Sequence, residues 1–272
     1  MVYWGGNGYP GEIITSLRIC SLGSGSGGNS TFVRSERTRV LVDAGFSFRE
    51  ITKRLNAIGE DPAQLDAVLV SHEHSDHVKG LTQIAKRVGC PIYLTERTGE
   101  TLDWGKVEPH IEMFRAGQTI AIAELEIDSF TISHDAVDPV AFAVRYQGLK
   151  ASLVTDLGYV TESVKHKIRG SDFLLLESNH DLEMLKVGPY PWFVKQRVMS
   201  RVGHLSNLAV SDFLTQEFER SCRWLVLGHL SESNNHPATA AIFAETALAE
   251  RGAAETKLIV AQQKQPTEVF EL

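Results

Sequence analysis

Layers of helix, sheet, sheet and helix, an α/β arrangement, are the fold class that this 272-residue sequence predicts. Strands and helices alternate up to about His110 and again beyond Asp156, and a run of strand candidates with turn glycines lies between. One parallel sheet would not accommodate that β-rich centre. A hydrophobic content of 43% is enough to bury a large core without disulfides. A single domain over residues 17–272 is expected, with the glycine-rich, unpatterned residues 1–16 as an extension outside the core.

Taken in order, Leu17 to Leu22 reads as a strand, followed by Gly23-Ser24-Gly25-Ser26-Gly27-Gly28. That run satisfies G-x-G-x-x-G, yet a dinucleotide fingerprint must open a helix. Here Asn29 to Val33 and Val40 to Val42 are both β-type, so the glycines are read as a hairpin loop with Asn29 free to hydrogen-bond. Asp43 ends the strand from Arg39 to Val42 and precedes a helix from Phe48 to Ile58. It is either a carboxylate orienting a ligating loop or a turn aspartate. Ala67 to Val70 is a short buried strand, Val78 to Val88 a helical run and Pro91 to Leu94 another strand. Strand candidates follow at Ile111–Arg115, Thr119–Ile122, Leu125–Ser133, Val140–Tyr146 and Lys150–Thr155, with Gly117 and Gly148 at turns. The last third reads helix 161–168, strand 173–176, helix 206–218, strand 224–227, helix 237–250 and strand 257–260.

Composition narrows the class further. Cys20, Cys90 and Cys222 are distant from one another, odd in number and set among apolar residues, which predicts reduced, buried thiols. No apolar run reaches the roughly 18 residues of a membrane span, and Met1 to Gly11 lacks the pattern of a signal peptide, so a cytoplasmic protein is expected. A formal charge of −7 disfavours non-specific nucleic-acid binding by the molecule as a whole but leaves room for a local basic groove.

The chemistry concentrates in Ser71-His72-Glu73-His74-Ser75-Asp76-His77, an H-x-H-x-D-H cluster between a strand and a helix. The two-residue period of an extended backbone turns His72 and His74 to one side, where one ion can take both. Asp76 and His77 leave on a different trajectory and can face a second ion. Imidazole with carboxylate suits zinc, manganese or iron, and the lack of cysteine argues against a closed structural zinc site. The alternative is a polar loop in which Ser and Asp cap a helix. A two-metal site needs about seven ligands. His134, Asp156 and His229 each follow a predicted strand, where a shared cleft can collect them. His134 could complete a three-histidine site, Asp156 could bridge both ions and His229 could close the site begun by Asp76 and His77. His110, His166 and His236 are read as surface or loop residues.

With Asp43-Ala44-Gly45, His134, Asp156 and His229, the cluster resembles the metallo-β-lactamase superfamily over about Leu17 to Val260. The runs Ser24 to Ser30, Thr155 to Tyr159, Glu177 to Asp181, Tyr190-Pro191-Trp192, Gly203 to Asn207 and His229 to Ser231 are similar to its YycJ-like (WalJ) branch, itself related to ribonuclease Z-type phosphodiesterases. The resemblance implies a four-layer αββα sandwich with His72, His74 and His134 at one metal and Asp76, His77 and His229 at a second, bridged by Asp156. It also implies a phosphodiesterase or exonuclease acting on DNA. The N-terminal extension departs from the pattern, and no large insertion of the kind that clamps RNA is present.

In the phosphodiesterase reading, a hydroxide held between two divalent ions attacks phosphorus in line. Asp76, His204 and Glu177 form the catalytic set: His204 is the candidate that protonates the leaving alkoxide, oriented by Glu177 as the resemblance to ribonuclease Z-type enzymes implies. The alternative for His204 is helix punctuation ahead of Ser206. His180 is an outer contact to the metals or the substrate, alongside Asp43 and Asn29. From Met184 to Ser211 there is no acidic residue, and Lys195, Arg197, Arg201 and Trp192 offer cations and a stacking face to a DNA end. The alternative there is an amphipathic helix with core aromatics and solvated cations. Two other functions fit the same residues: a phosphodiesterase for small diesters, and a metal-stabilised regulatory module with little turnover.

Overall fold

The computed structural model describes residues 16–272, so the expected extension at 1–16 lies outside the described residues except for Ser16. The chain first builds β1 (Arg18–Gly23), β2 (Ser30–Arg34) and β3 (Arg39–Val42) as an antiparallel meander. β4 (Ala67–Leu69), β5 (Ile92–Thr95) and β6 (Ile111–Phe114) then join parallel to β3. A second sheet starts with β7 (Thr119–Ile122), β8 (Leu125–Thr131), β9 (Val140–Tyr146) and β10 (Leu149–Val154), all antiparallel. It continues in parallel with β11 (Phe173–Glu177), β12 (Trp224–Gly228) and β13 (Lys257–Val260). Finally β14 (Phe270–Glu271) returns to the free edge of β1. The sheet orders are β14-β1-β2-β3-β4-β5-β6 and β13-β12-β11-β10-β9-β8-β7.

The period-2 pattern of the strands decides the layers. Val40 and Val42 point into a core shared with Val144, Leu175 and Val226 of the opposite sheet, whereas Leu41 points outward. There it meets Ile51 and Leu55 of α1 (Phe48–Ala57) and Ile84 of α3 (Leu81–Arg87), which follows the short α2 (Ser75–Val78). Leu174 and Leu176 likewise face away from Leu175, onto α5 (Glu162–Ile168), α8 (Asn207–Glu217) and α9 (Pro237–Arg251). Each such aliphatic side chain contributes about 1.5–3 kcal/mol on burial, and the two faces together need helices on both outer surfaces. The layers are therefore helix, sheet, sheet and helix, as the element order predicts. The smaller α4 (Glu96–Thr101), α6 (Leu182–Val187) and α7 (Trp192–Val198) fill loops at the strand ends.

Several elements differ from the expected order, α6 and α7 among them, which lie between the strand expected at 173–176 and the helix expected at 206–218. The helical run expected over Val78–Val88 is split, with α2 starting at Ser75 and α3 at Leu81. Gly80 makes the break: its N–H donates to the Ala44 carbonyl at 2.7 Å, and a Cβ there would overlap the Phe46 carbonyl. Asp76 and His77 therefore sit inside the first helical turn. β14 has no counterpart in the reading, because two residues carry no periodicity. The G-x-G-x-x-G run forms the β1–β2 hairpin, in agreement with the rejection of a dinucleotide site. All three cysteines are free and buried, and burial pushes their thiols up to about 11 for Cys20 and Cys90 and about 12 for Cys222. Among the described residues no helix is long and apolar enough to cross a membrane.

Candidate metal centre

The strands deliver the site at their C-terminal ends. Asp43 follows β3, the H-x-H-x-D-H loop follows β4, Asp156 follows β10 and His229 follows β12. Asp43, Asp156 and His229 all adopt left-handed backbone, with φ of 61°, 61° and 54°. Non-glycine residues rarely stay there, and the conformation turns each side chain back across the strand ends. The loop holding Asp76 is pinned from its other side: Asn29 N–H donates to the Asp76 carbonyl at 2.7 Å, and Gly45 N–H to the Asn29 carbonyl at 2.9 Å. A methyl on Gly45 would overlap that Asp76 carbonyl, so only glycine allows the approach.

Three groups of donors result. One ligand atom from each of His72, His74 and His134 lies within 4.8 Å of the others, and the same holds for Asp76, His77, Asp156 and His229, and for Asp156, Glu177, His204 and His229. In the first group His72 Nδ1 is 2.9 Å from Ser71 Oγ, and His134 Nδ1 donates to the Gly203 carbonyl at 3.2 Å. Their Nε2 atoms are left pointing inward, that of His134 at 3.3 Å from His74 Nδ1. In the second, His77 Nδ1 donates to Asp43 Oδ2 at 2.8 Å, a carboxylate also held by the Ser71 N–H and hydroxyl at 2.8 and 2.9 Å. His77 Nε2 then faces Asp156 Oδ2 at 3.1 Å.

This donor set fits divalent metal. Burial opposes a charge on His77, but Asp156 and Asp43 overcome it and raise the imidazole well above its ordinary range, so the convergence of Nε2 and Asp156 Oδ2 is a place that draws in positive charge, which a divalent ion held by both atoms would supply. His72 Nε2, Asp156 Oδ2 and His229 Nε2 are buried without a protein hydrogen-bond partner, which is costly for atoms with nothing to bind. The titration behaviour has the same origin. Burial drives His72 well below its ordinary range, helped by His77. Burial also acts against His229, but Asp156, Asp76 and Glu177 overcome it and raise the imidazole to about 10. Burial opposes ionisation of Asp156 too, yet His229 and His77 hold its carboxyl well below the carboxylate range.

The remaining predicted residues divide. Asn29 Nδ2 donates to Asp76 Oδ2 at 3.2 Å, while its Oδ1 accepts from Gly25 N–H and from Ser24 Oγ. Glu177 reaches His204 Nδ1 at 2.8 Å and His229 Nδ1 at 2.7 Å. Burial would raise the Glu177 carboxyl, but the His204 and His229 contacts lower it to about 2; burial would lower His204, and Glu177 raises it. His180 is buried, joins none of the three donor groups, and burial takes it to about 4. Lys195 departs from its expected exposed position: it is buried on α7, and Nζ donates to the Lys186 carbonyl at the end of α6, 2.7 Å away. Its charge satisfies a helix terminus and is withdrawn from any groove. Arg197 remains on the surface, 3.3 Å from Asp135, and Arg201 lies 4.5 Å over the Tyr159 ring. Trp192 and Phe193 are 61% and 72% exposed, which removes the alternative of core aromatics. Ser71 and Ser24 are supports that residue type alone does not mark; their places beside the histidine cluster and in the glycine loop are the signal the sequence offers.

A model of the β-lactamase superfamily domain matches residues 38–215. Over 219 residues the chain is 37% identical to exodeoxyribonuclease WalJ of Streptococcus pneumoniae, covering 79% of this chain and 81% of that protein. Over 243 residues it is 35% identical to exodeoxyribonuclease YycJ of Bacillus anthracis, covering 87% and 90%. Among solved structures, the metallo-β-lactamase fold protein YhfI of Bacillus subtilis superposes with a TM-score of 0.71 at 19% identity, covering 94% of this chain and all of that one (100%). The short form of human tRNase Z gives 0.62 at 14% identity, covering 92% and 98%. At such identities these two structures speak for the fold alone. The chain belongs to the metallo-β-lactamase superfamily, in the branch of the WalJ and YycJ proteins.

Proposed function

We propose that the protein is a dinuclear metal-dependent phosphodiesterase that acts as a DNA exonuclease. The observation that carries this reading is the adjacency of two donor groups around Asp156, with the Glu177–His204 pair against the same carboxylate, His204 Nδ1 lying 3.9 Å from Asp156 Oδ1. Two divalent ions, zinc, manganese or iron, held by His72, His74 and His134 and by Asp76, His77 and His229 with Asp156 between, would supply a nucleophile from water and offset charge on phosphate oxygens. Asp76, held by Asn29, positions the attacking water. His204 donates its Nδ1–H to Glu177 and, as the imidazolium that Glu177 favours, passes its Nε2 proton to the leaving alkoxide. Arg197, Arg201 and Trp192 line the approach of the strand; Lys195 supports α7 from inside. The names and identities of the WalJ and YycJ relatives support DNA as the substrate.

The test is degradation of end-labelled single- and double-stranded DNA by metal-loaded protein, beside an Asp156→Ala control. Shortening from an end that disappears in the variant is the expected result. Hydrolysis of bis(p-nitrophenyl) phosphate without any DNA cleavage would make it a small-diester phosphodiesterase. Metal binding without either activity would leave a regulatory module.

A further inference from the structure

The least buried members of the three donor groups are His74, Asp76 and His204, so the centre meets solvent along that edge. Beside His74 lies a pocket of about 230 Å³ lined by Glu73, Ser75, Thr82, Thr101, Asp103 and Trp104. Glu73 and Ser75 are the chain neighbours of His74, while Thr101 to Trp104 arrive from the end of α4, after β5. Two neighbouring strand-end loops of the first sheet thus build one recess against the metal loop.

The recess has a definite chemistry. Its volume is below the roughly 300–1,000 Å³ of sites for drug-sized ligands, which suits a single ring system. The half-buried indole of Trp104 supplies a flat apolar wall. Glu73, whose Oε1 accepts from the Val137 N–H at 2.9 Å, sets a carboxylate residue at the edge of the recess. With Asp103 alongside, it repels a phosphate. On the far side of His134, whose ring lies 5.0 Å from that of His74 and 5.2 Å from that of His204, the chain leads to Arg201 and to Arg197 and Trp192 on α7. One flank therefore suits the body of a strand and the other a base at its end.

We propose that this pocket holds the terminal nucleobase of the strand, stacked on Trp104, while the adjoining phosphodiester lies at the metal centre. The inference rests on the nuclease reading and deepens it: a recess that takes one base and stops makes an end, not an internal stretch, the preferred substrate.

The test pairs a changed protein with a changed strand end. The substrates are oligonucleotides with an abasic residue at one terminus or the other, and matched normal ends. For the wild type, the abasic residue at the cleaved end lowers kcat/KM at least fivefold. Trp104→Ala lowers kcat/KM on the normal end by a similar factor and no longer distinguishes the two ends; Trp104→Phe, which keeps a ring face, stays within twofold of wild type. Both variants retain bis(p-nitrophenyl) phosphate hydrolysis. A wild type indifferent to the abasic end, or a Trp104→Ala variant that still discriminates, overturns the pocket and leaves the nuclease reading standing. Equal losses on DNA and on the small diester overturn it too, by making Trp104 a structural residue. Small-diester hydrolysis with no DNA cleavage by the wild type overturns the nuclease reading and the pocket together.

Discussion

Glu177 Oε1 lies 2.7 Å from His229 Nδ1, and the same oxygen lies 2.8 Å from His204 Nδ1. Its other oxygen, Oε2, accepts the Leu157 and Leu205 N–H groups at 3.1 and 3.0 Å. In Glu177→Gln the amide nitrogen cannot face those two donors, so it takes the Oε1 position and turns an N–H toward both imidazoles. Both rings lose their acceptor. Glu177→Gln is therefore expected to lower metal content in protein purified without chelators, and to lower kcat on any diester by about 10²–10⁴. Full metal loading with unchanged turnover would refute the double role.

His204→Ala removes the proposed proton donor while keeping the seven proposed metal ligands, His72, His74, Asp76, His77, His134, Asp156 and His229. An alkyl phosphodiester has a poor leaving group and should lose about 10²–10⁴ in kcat, whereas a p-nitrophenyl diester should change only a few-fold. Parallel losses on the two substrates would show that His204 does not protonate the leaving group.

Ser71 Oγ sits between His72 Nδ1 and Asp43 Oδ2, 2.9 Å from each, and so links an imidazole of the first donor group to the carboxylate that orients His77 in the second. Ser71→Ala is expected to weaken metal affinity about 10–100-fold, with activity recovering at saturating metal. Competition with a chromophoric chelator measures it. Affinity equal to wild type would remove the serine from the network.

On α7 the exposed residues and the buried one should behave differently. Arg197→Ala should reduce the slope of log affinity for single-stranded DNA against log salt by about 0.7, and Trp192→Ala should cost roughly 1–3 kcal/mol of binding at every salt concentration. Lys195→Ala should leave the slope alone and lower the melting temperature, because its ammonium caps α6. A salt slope that responds to Lys195 and not to Arg197 would reverse this assignment.

Glu124 ties the two sheets together, accepting from Ser35 Oγ at 2.6 Å and Thr38 Oγ1 at 2.9 Å across from the β2–β3 turn. Burial would raise its carboxyl, but the bonds from Ser35, Thr38 and the Arg37 N–H outweigh it and bring the group down to about 2 from an ordinary 4.5. A depressed carboxyl contributes stability that is complete above about 4.5 and is lost as the pH falls toward about 2. The melting temperature of wild type should exceed that of Glu124→Gln at about pH 6, and the gap should narrow below about pH 4.5 and close only toward about pH 2. A gap independent of pH would assign the difference to packing.

The layered fold and the donor types are legible in the order of the amino acids alone. Alternating apolar residues set the faces of strands such as Arg39–Val42, and the period of the backbone around His72 and His74 is local chemistry that needs no tertiary contact. Strand ends could be marked in the same way, which singled out His134, Asp156 and His229. What those side chains and their supports meet depends on packing. Lys195 reads as a surface cation until the packing of α7 against α6 turns it inward onto Lys186. The second bond of Glu177 joins β11 to a residue 52 positions further on. β14, two residues long, has no pattern to recognise; it is placed by the open edge of β1 and by Phe270, whose ring packs 5.2 Å from Phe173 and 4.9 Å from Trp224. Periodicity is written in neighbouring residues, whereas these contacts depend on which surfaces meet after the sheets have stacked, and that is a property of the whole chain.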